Sequence, residues 1–103
     1  MNRRDGLQEA LLKLAPKMPR HEFGAVLDHA LDSPGLKRAT PDKAAWLSLV
    51  AYVRHVFTDY EDLLNEGYDP ESARHFVVED METVLAGWGV TRKLVEDEDP
   101  AVD

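Results

Sequence analysis

A chain of 103 residues supplies one domain, and with 44% hydrophobic residues it can build a core rather than remain disordered. It has no cysteine, which excludes a disulfide framework, thiolate catalysis and cysteine-based zinc sites, and fits a reducing, cytoplasmic setting. Its net charge of −8 is uneven: residues 1–43 carry eight Lys/Arg against six Asp/Glu, residues 44–95 four against nine, and residues 96–103 five acids and no base, a balance that argues against tight sequence-independent binding of nucleic acid.

The opening Met1-Asn2-Arg3-Arg4-Asp5 lacks the apolar run of a secretory signal. Leu7, Ala10, Leu11 and Leu14 then recur at helical spacing, with Asp5 read as the N-cap. Pro16 and Pro19 stop this helix and stiffen the link after it. A second helix, starting near Arg20, places Phe23, Val26, Leu27, Ala30 and Leu31 on one face, and Ser33-Pro34-Gly35 breaks it. Leu36-Lys37-Arg38-Ala39 reads as a short basic loop.

Thr40 before Pro41 is an N-cap with proline at the first helical position. The third helix, residues 41–57, is apolar on nearly every side through Trp46, Leu47, Leu49, Val50 and Val53, the pattern of a central helix with neighbours all round. Its apolar run, residues 44–53, is interrupted by Ser48 and falls far short of the roughly 20 residues of a membrane span. Thr58 and Glu61 form a T-x-x-E capping box for a short fourth helix. Asn65-Glu66-Gly67 ends it, with Gly67 in the left-handed terminating position and Tyr68 folding back on Leu63. Asp69-Pro70-Glu71 starts a fifth helix, whose stripe of Ala73, Phe76, Val77, Met81, Val84, Leu85 and Trp88 runs to Gly89. Trp46 and Trp88 are expected inside. The agreement of these markers predicts an all-α single domain of about five helices around the central helix 41–57. It spans residues 1–95, with 90–95 either docked or frayed, and residues 96–103 form a disordered acidic tail.

The segment Tyr52-Val53-Arg54-His55-Val56-Phe57-Thr58-Asp59-Tyr60, with Leu63-Leu64 before Gly67, Ala73-Arg74, and Val84-Leu85 before Trp88, resembles the family known as domain of unknown function 2293. Leu14-Ala15-Pro16 with Pro19, and the pair His29-Ala30, fit the same pattern, so the resemblance covers most of residues 11–88. Its most specific part is Arg-His-x-x-Thr-x-Tyr with Ala-Arg downstream. The resemblance implies a small domain of bacterial and fungal proteins with no established activity, and so carries over no catalytic residue. The chain departs from the family pattern at Pro34-Gly35-Leu36-Lys37-Arg38, where members often have a more basic loop.

Arg54, His55, Thr58, Asp59 and Tyr60 sit where two helices meet, and two readings apply. In the structural one, Thr58 caps, Arg54 and His55 complement the dipole of the third helix in its last turn, and Arg54 pairs with Asp59 or another acid. In the functional one, Arg54 and His55 join Arg74 and His75 as a small anion or ligand site. The four histidines, His21, His29, His55 and His75, have no histidine partner at i,i+4, so no metal site is expected; His29 with Asp32 and His75 with Glu79 each offer only two ligands. The fourth and fifth helices imitate a helix-turn-helix, but Glu71, Glu79, Asp80 and Glu82 give the would-be recognition helix the wrong charge. Ser33, Ser48 and Ser72 lie in no nucleophile-elbow pattern, and there is no Gly-rich phosphate loop.

The reading that follows is a non-catalytic helical protein-interaction or regulatory module. Its expected partner is protein, a second copy of the chain among the candidates, with no membrane contact and no cofactor. Two alternatives stand beside it. One is nucleic-acid association through Lys13, Lys17, Arg20, Lys37, Arg38 and Lys43; the other is a small-ligand or enzyme site around Arg54, His55, Tyr60 and Arg74.

Overall fold

A helix is favoured to begin where a side chain can satisfy backbone N–H groups that have no partner inside it, as Asn2, Thr40 and Asp69 do here. In the computed structural model, which describes residues 2–94, the helices are α1 (Arg3–Leu14), α2 (Arg20–Asp32), α3 (Pro41–Phe57), α4 (Tyr60–Asn65) and α5 (Pro70–Gly87). The tail expected over residues 96–103 lies outside the described residues. The basic loop after α2 opens with one 3₁₀ turn, Pro34–Leu36, because the proline at its start is already set for a helical turn. No strand occurs among the described residues, and no helix there is long and apolar enough to cross a membrane.

The two caps followed by proline form as the sequence predicts. Thr40 Oγ1 accepts the Lys43 N–H at 3.2 Å, and Asp69 Oδ1 accepts the Ser72 N–H at 2.8 Å. Ser72, through its N–H and then its hydroxyl, holds the Asp69 carboxyl below the ordinary carboxylate range. At α1 the cap is Asn2 rather than Asp5: its backbone is extended and its side-chain oxygen accepts the Asp5 N–H at 2.9 Å. Asp5 thus lies inside the first turn, where its charge still suits the helix dipole. Two helices end on glycine. Gly67 (φ 104°) lets Tyr68 N–H donate to Leu63 O at 3.1 Å, and Gly89 (φ 84°) lets Val90 N–H donate to Leu85 O at 3.0 Å.

Ten of the seventeen residues of α3 are buried, and α3 packs against every other helix. Leu7, Ala10 and Leu11 of α1, Val26, Leu27 and Ala30 of α2, and Ala73, Val77, Met81 and Leu85 of α5 cover it from three sides. Trp46 and Trp88 are both buried, and the Arg92 guanidinium lies 4.3 Å from the centre of the Trp46 ring. Val90 and Leu94 pack against this core, so the segment after Gly89 is docked as far as Leu94. Phe76 departs from the expected stripe. With about 100° per residue, Ala73, Val77, Met81 and Leu85 define a narrow line along α5, and Phe76 projects well to one side of it. It is 59% exposed.

Two contacts that no local pattern announces close the bundle. Arg3 reaches the 3₁₀ link, donating from Nη2 to Leu36 O at 2.6 Å and from Nη1 to Ala39 O at 3.1 Å. Charge-assisted bonds of this kind contribute about 1.5–3 kcal/mol each where water is partly excluded. At the other end of α1, the Lys17 N–H donates to Trp88 O at 2.9 Å, and the backbone of Gly89 passes beside Pro16. A Cβ on Gly89 would lie 3.0 Å from Pro16 Cγ, whereas one on Gly67 would meet nothing.

The two glycines therefore separate backbone strain from packing. Gly67→Ala should cost about 1–2 kcal/mol, the penalty of a left-handed alanine. Gly89→Ala should cost more, because the Pro16 ring must also move. Equal shifts in denaturant midpoint would show that Pro16 yields freely.

Ser48 supplies a second check. It is fully buried in α3, and its Oγ has no hydrogen-bond partner among the described residues. Ser48→Ala should leave stability unchanged or raise it by about 1 kcal/mol, since a stranded hydroxyl costs free energy. A clear loss of stability would reveal a partner for that hydroxyl.

Candidate functional site

Tyr52, Arg54 and His55 belong to the last turns of α3, and Thr58 and Tyr60 to the junction with α4. Thr58 stands at the end of α3 rather than at the cap of α4. Its hydroxyl donates to Arg54 O and accepts the Tyr60 N–H at 3.2 Å, so one oxygen serves the end of one helix and the start of the next. The expected capping box between Thr58 and Glu61 does not form. Asp59, at φ −84° and ψ 16°, takes the N-cap position without a side-chain bond, and Glu61 turns to His55, Oε1 to Nδ1 3.2 Å. The tight bend at Asp59 moves Thr58 one residue too far from α4 for a box.

Arg54 is only 4% exposed, and its guanidinium carbon lies 5.5 Å from the centre of the Tyr60 ring. Tyr60, itself 2% exposed, also meets the His55 ring edge to face, with centroids 5.2 Å apart and planes at 83°. The junction thus brings together Arg54, His55, Thr58 and Tyr60. His29 of α2 lies within electrostatic reach of it. Its imidazole titrates below the ordinary histidine value, first because part of the ring is withdrawn from water and then because of the His55 charge, with Asp32 opposing. His29 was not expected near this segment, because only the packing of α2 on α3 brings it there.

Tyr52 begins the same segment. Its hydroxyl donates to Glu22 Oε1 at 2.5 Å, tying α2 to α3, and its ring packs on Phe57, which packs in turn on Trp88. Burial, and then the bond to Glu22, push the Tyr52 hydroxyl up to about 12.

Arg74 and His75 sit on the first turns of α5. Arg74 is half-buried, but His75 is exposed and packs on Phe76, centroids 6.0 Å apart. Phe76 in turn meets Tyr68 edge to face at 5.4 Å. The fold therefore places His75 in a second group of rings, His75–Phe76–Tyr68, at the corner between α4 and α5. A shallow depression of about 250 Å³ lies there, lined by Glu71, Ser72, His75 and Phe76, and another is lined by Glu66, Gly67 and Tyr68. Among the described residues no three His, Asp or Glu side chains gather as a metal-ligand set.

The Tyr52–Glu22 bond has a pH signature. A phenol whose folded value is raised contributes stability in full below its unfolded value near 10, and that contribution is lost as pH climbs through about 12. Wild type should lose stability across this window more steeply than Tyr52→Phe. Parallel curves for the two proteins would show that the bond does not persist in solution.

No curated protein and no solved structure matches the chain. The family model described as Uncharacterized conserved protein (DUF2293) matches residues 10–89, from within α1 to the glycine that terminates α5. The chain belongs to this family of conserved proteins, DUF2293.

Proposed function

We propose that the domain is a non-catalytic protein-interaction module whose contact surface is the α4–α5 corner. The observation that carries this reading is the exposed ring pair: Phe76 is 59% and Tyr68 44% exposed, yet the two hold one another edge to face outside the core. Single exposed apolar side chains are ordinary, but grouped exposed aromatics beside open depressions are typical of binding surfaces. The Arg54–Tyr60 junction supports the same division of labour. Its arginine and tyrosine are enclosed and its threonine bridges two helices, which suits holding α3 and α4 in place rather than receiving a ligand.

The test is affinity capture from native lysate on wild type and on the double variant Tyr68→Ser/Phe76→Ser, both treated with nuclease. Partners retained by wild type and lost from the variant are the expected result, with the helical circular dichroism of the two proteins unchanged. Identical retained sets would overturn the assignment of this surface.

A further inference from the structure

The α4–α5 corner has a charge that selects among protein partners. Between Asp59 and Glu82 the chain carries nine carboxylates, all exposed, against a single arginine, Arg74. On α5 the side chains one turn after Phe76 are Glu79 and Asp80, Ser72 lies one turn before it, and Glu71 shares with Phe76 the lining of one depression. Across the corner, Tyr68 stands between Glu66 and Asp69. The exposed rings thus occupy an apolar island with carboxylates on both sides.

We propose that the segment bound here is a basic polypeptide stretch, rich in arginine or lysine and carrying interspersed apolar side chains. The inference rests on the reading of this corner as an interaction surface and adds the chemistry of what it takes. An aromatic face attracts a guanidinium or ammonium through its quadrupole, and Tyr68 and Phe76 both present ring surface to solvent. The surrounding carboxylates attract the same cations over longer range and speed their arrival. Apolar side chains of the partner would lie on the exposed rings of Phe76 and Tyr68, and its cations in the depressions that Glu71 and Glu66 line beside them. An acidic partner would meet like charge on every side, and a wholly apolar one would leave carboxylates facing it without counter-charge.

The experiment uses the full chain and three short fluorescein-labelled peptides, with leucine alternating with arginine, glutamate or serine. Binding is read by fluorescence anisotropy to wild type, Phe76→Ser, Glu79→Gln/Asp80→Asn and Leu12→Ser, the last an exposed apolar control on α1. The Arg/Leu peptide should bind wild type and Leu12→Ser alike. It should bind Phe76→Ser about tenfold more weakly, the loss expected of a central contact residue, although that substitution leaves the charge untouched. The Glu79→Gln/Asp80→Asn variant should bind more weakly and depend less on salt. Equal binding of the Glu/Leu or Ser/Leu peptide would overturn the proposal, as would Arg/Leu binding indifferent to Phe76→Ser. A concentration-dependent dimer abolished by Phe76→Ser would also overturn it, by showing a second copy as the occupant. Should the lysate partners depend on Tyr68 and Phe76 while the Arg/Leu peptide binds neither protein, the surface stands and the basic occupant falls.

Discussion

A helix that is apolar round most of its circumference has to be enclosed, and α3 imposes that demand on the rest of the molecule. Leaving any one of its faces in water would forfeit roughly 25 cal/mol for every square ångström of apolar area. The other helices answer by arriving from different directions: α1 and α2 pack together and against α3, while α5 closes a further side with α4 as its short companion. The links then have little freedom. Arg3 braces the passage from α2 to α3, and Pro16, Lys17, Trp88 and Gly89 meet where the α1–α2 link passes the end of α5.

The same enclosure explains the polar junction at the end of α3. The helix ends with Arg54 still buried on its inner side while Val56 and Phe57 face out, so the inner carbonyls of its last turn and the first N–H groups of α4 need partners drawn from the protein. Thr58 provides for both with one hydroxyl. Arg54 is enclosed in this region with its guanidinium over the Tyr60 ring. His55 and Glu61 complete the outer edge. The residues that in sequence could also form a small anion or ligand site share the junction at which the chain turns from α3 into α4.

What was legible beforehand follows from the range of the physics involved. The caps that precede proline at Thr40 and Asp69, the glycine terminators at Gly67 and Gly89 and the apolar circumference of α3 are all decided within a turn or two of chain, and each appears as predicted. Asn2 displaced Asp5 because a cap depends on which residue is extended, and both side chains are competent. The capping box failed because the bend falls at Asp59 instead of Thr58, a difference of one backbone conformation. Tyr60, His55 and Arg54 were correctly grouped because they are close in sequence. His75, on α5, packs on Phe76, a contact that the sequence reading did not draw. The exposure of Phe76 escaped the reading because the spacing of the stripe tolerates it, and only the actual line of contact along α5 excludes it. Arg3, which bonds to carbonyls far along the chain, has no local signature at all.

The meeting of Pro16 and Lys17 with Trp88 and Gly89 bears on how the chain comes off the ribosome. Domains are made from the N-terminus, and segments pack as their partners emerge. When α1, α2 and α3 have appeared, the side of α3 that α5 will cover still faces solvent, and the Lys17 N–H still lacks the Trp88 carbonyl. The nascent chain therefore carries an open apolar flank for as long as α4 and α5 take to be synthesised. It is the kind of surface that holding chaperones recognise, and it disappears when the last turn of α5 reaches Pro16.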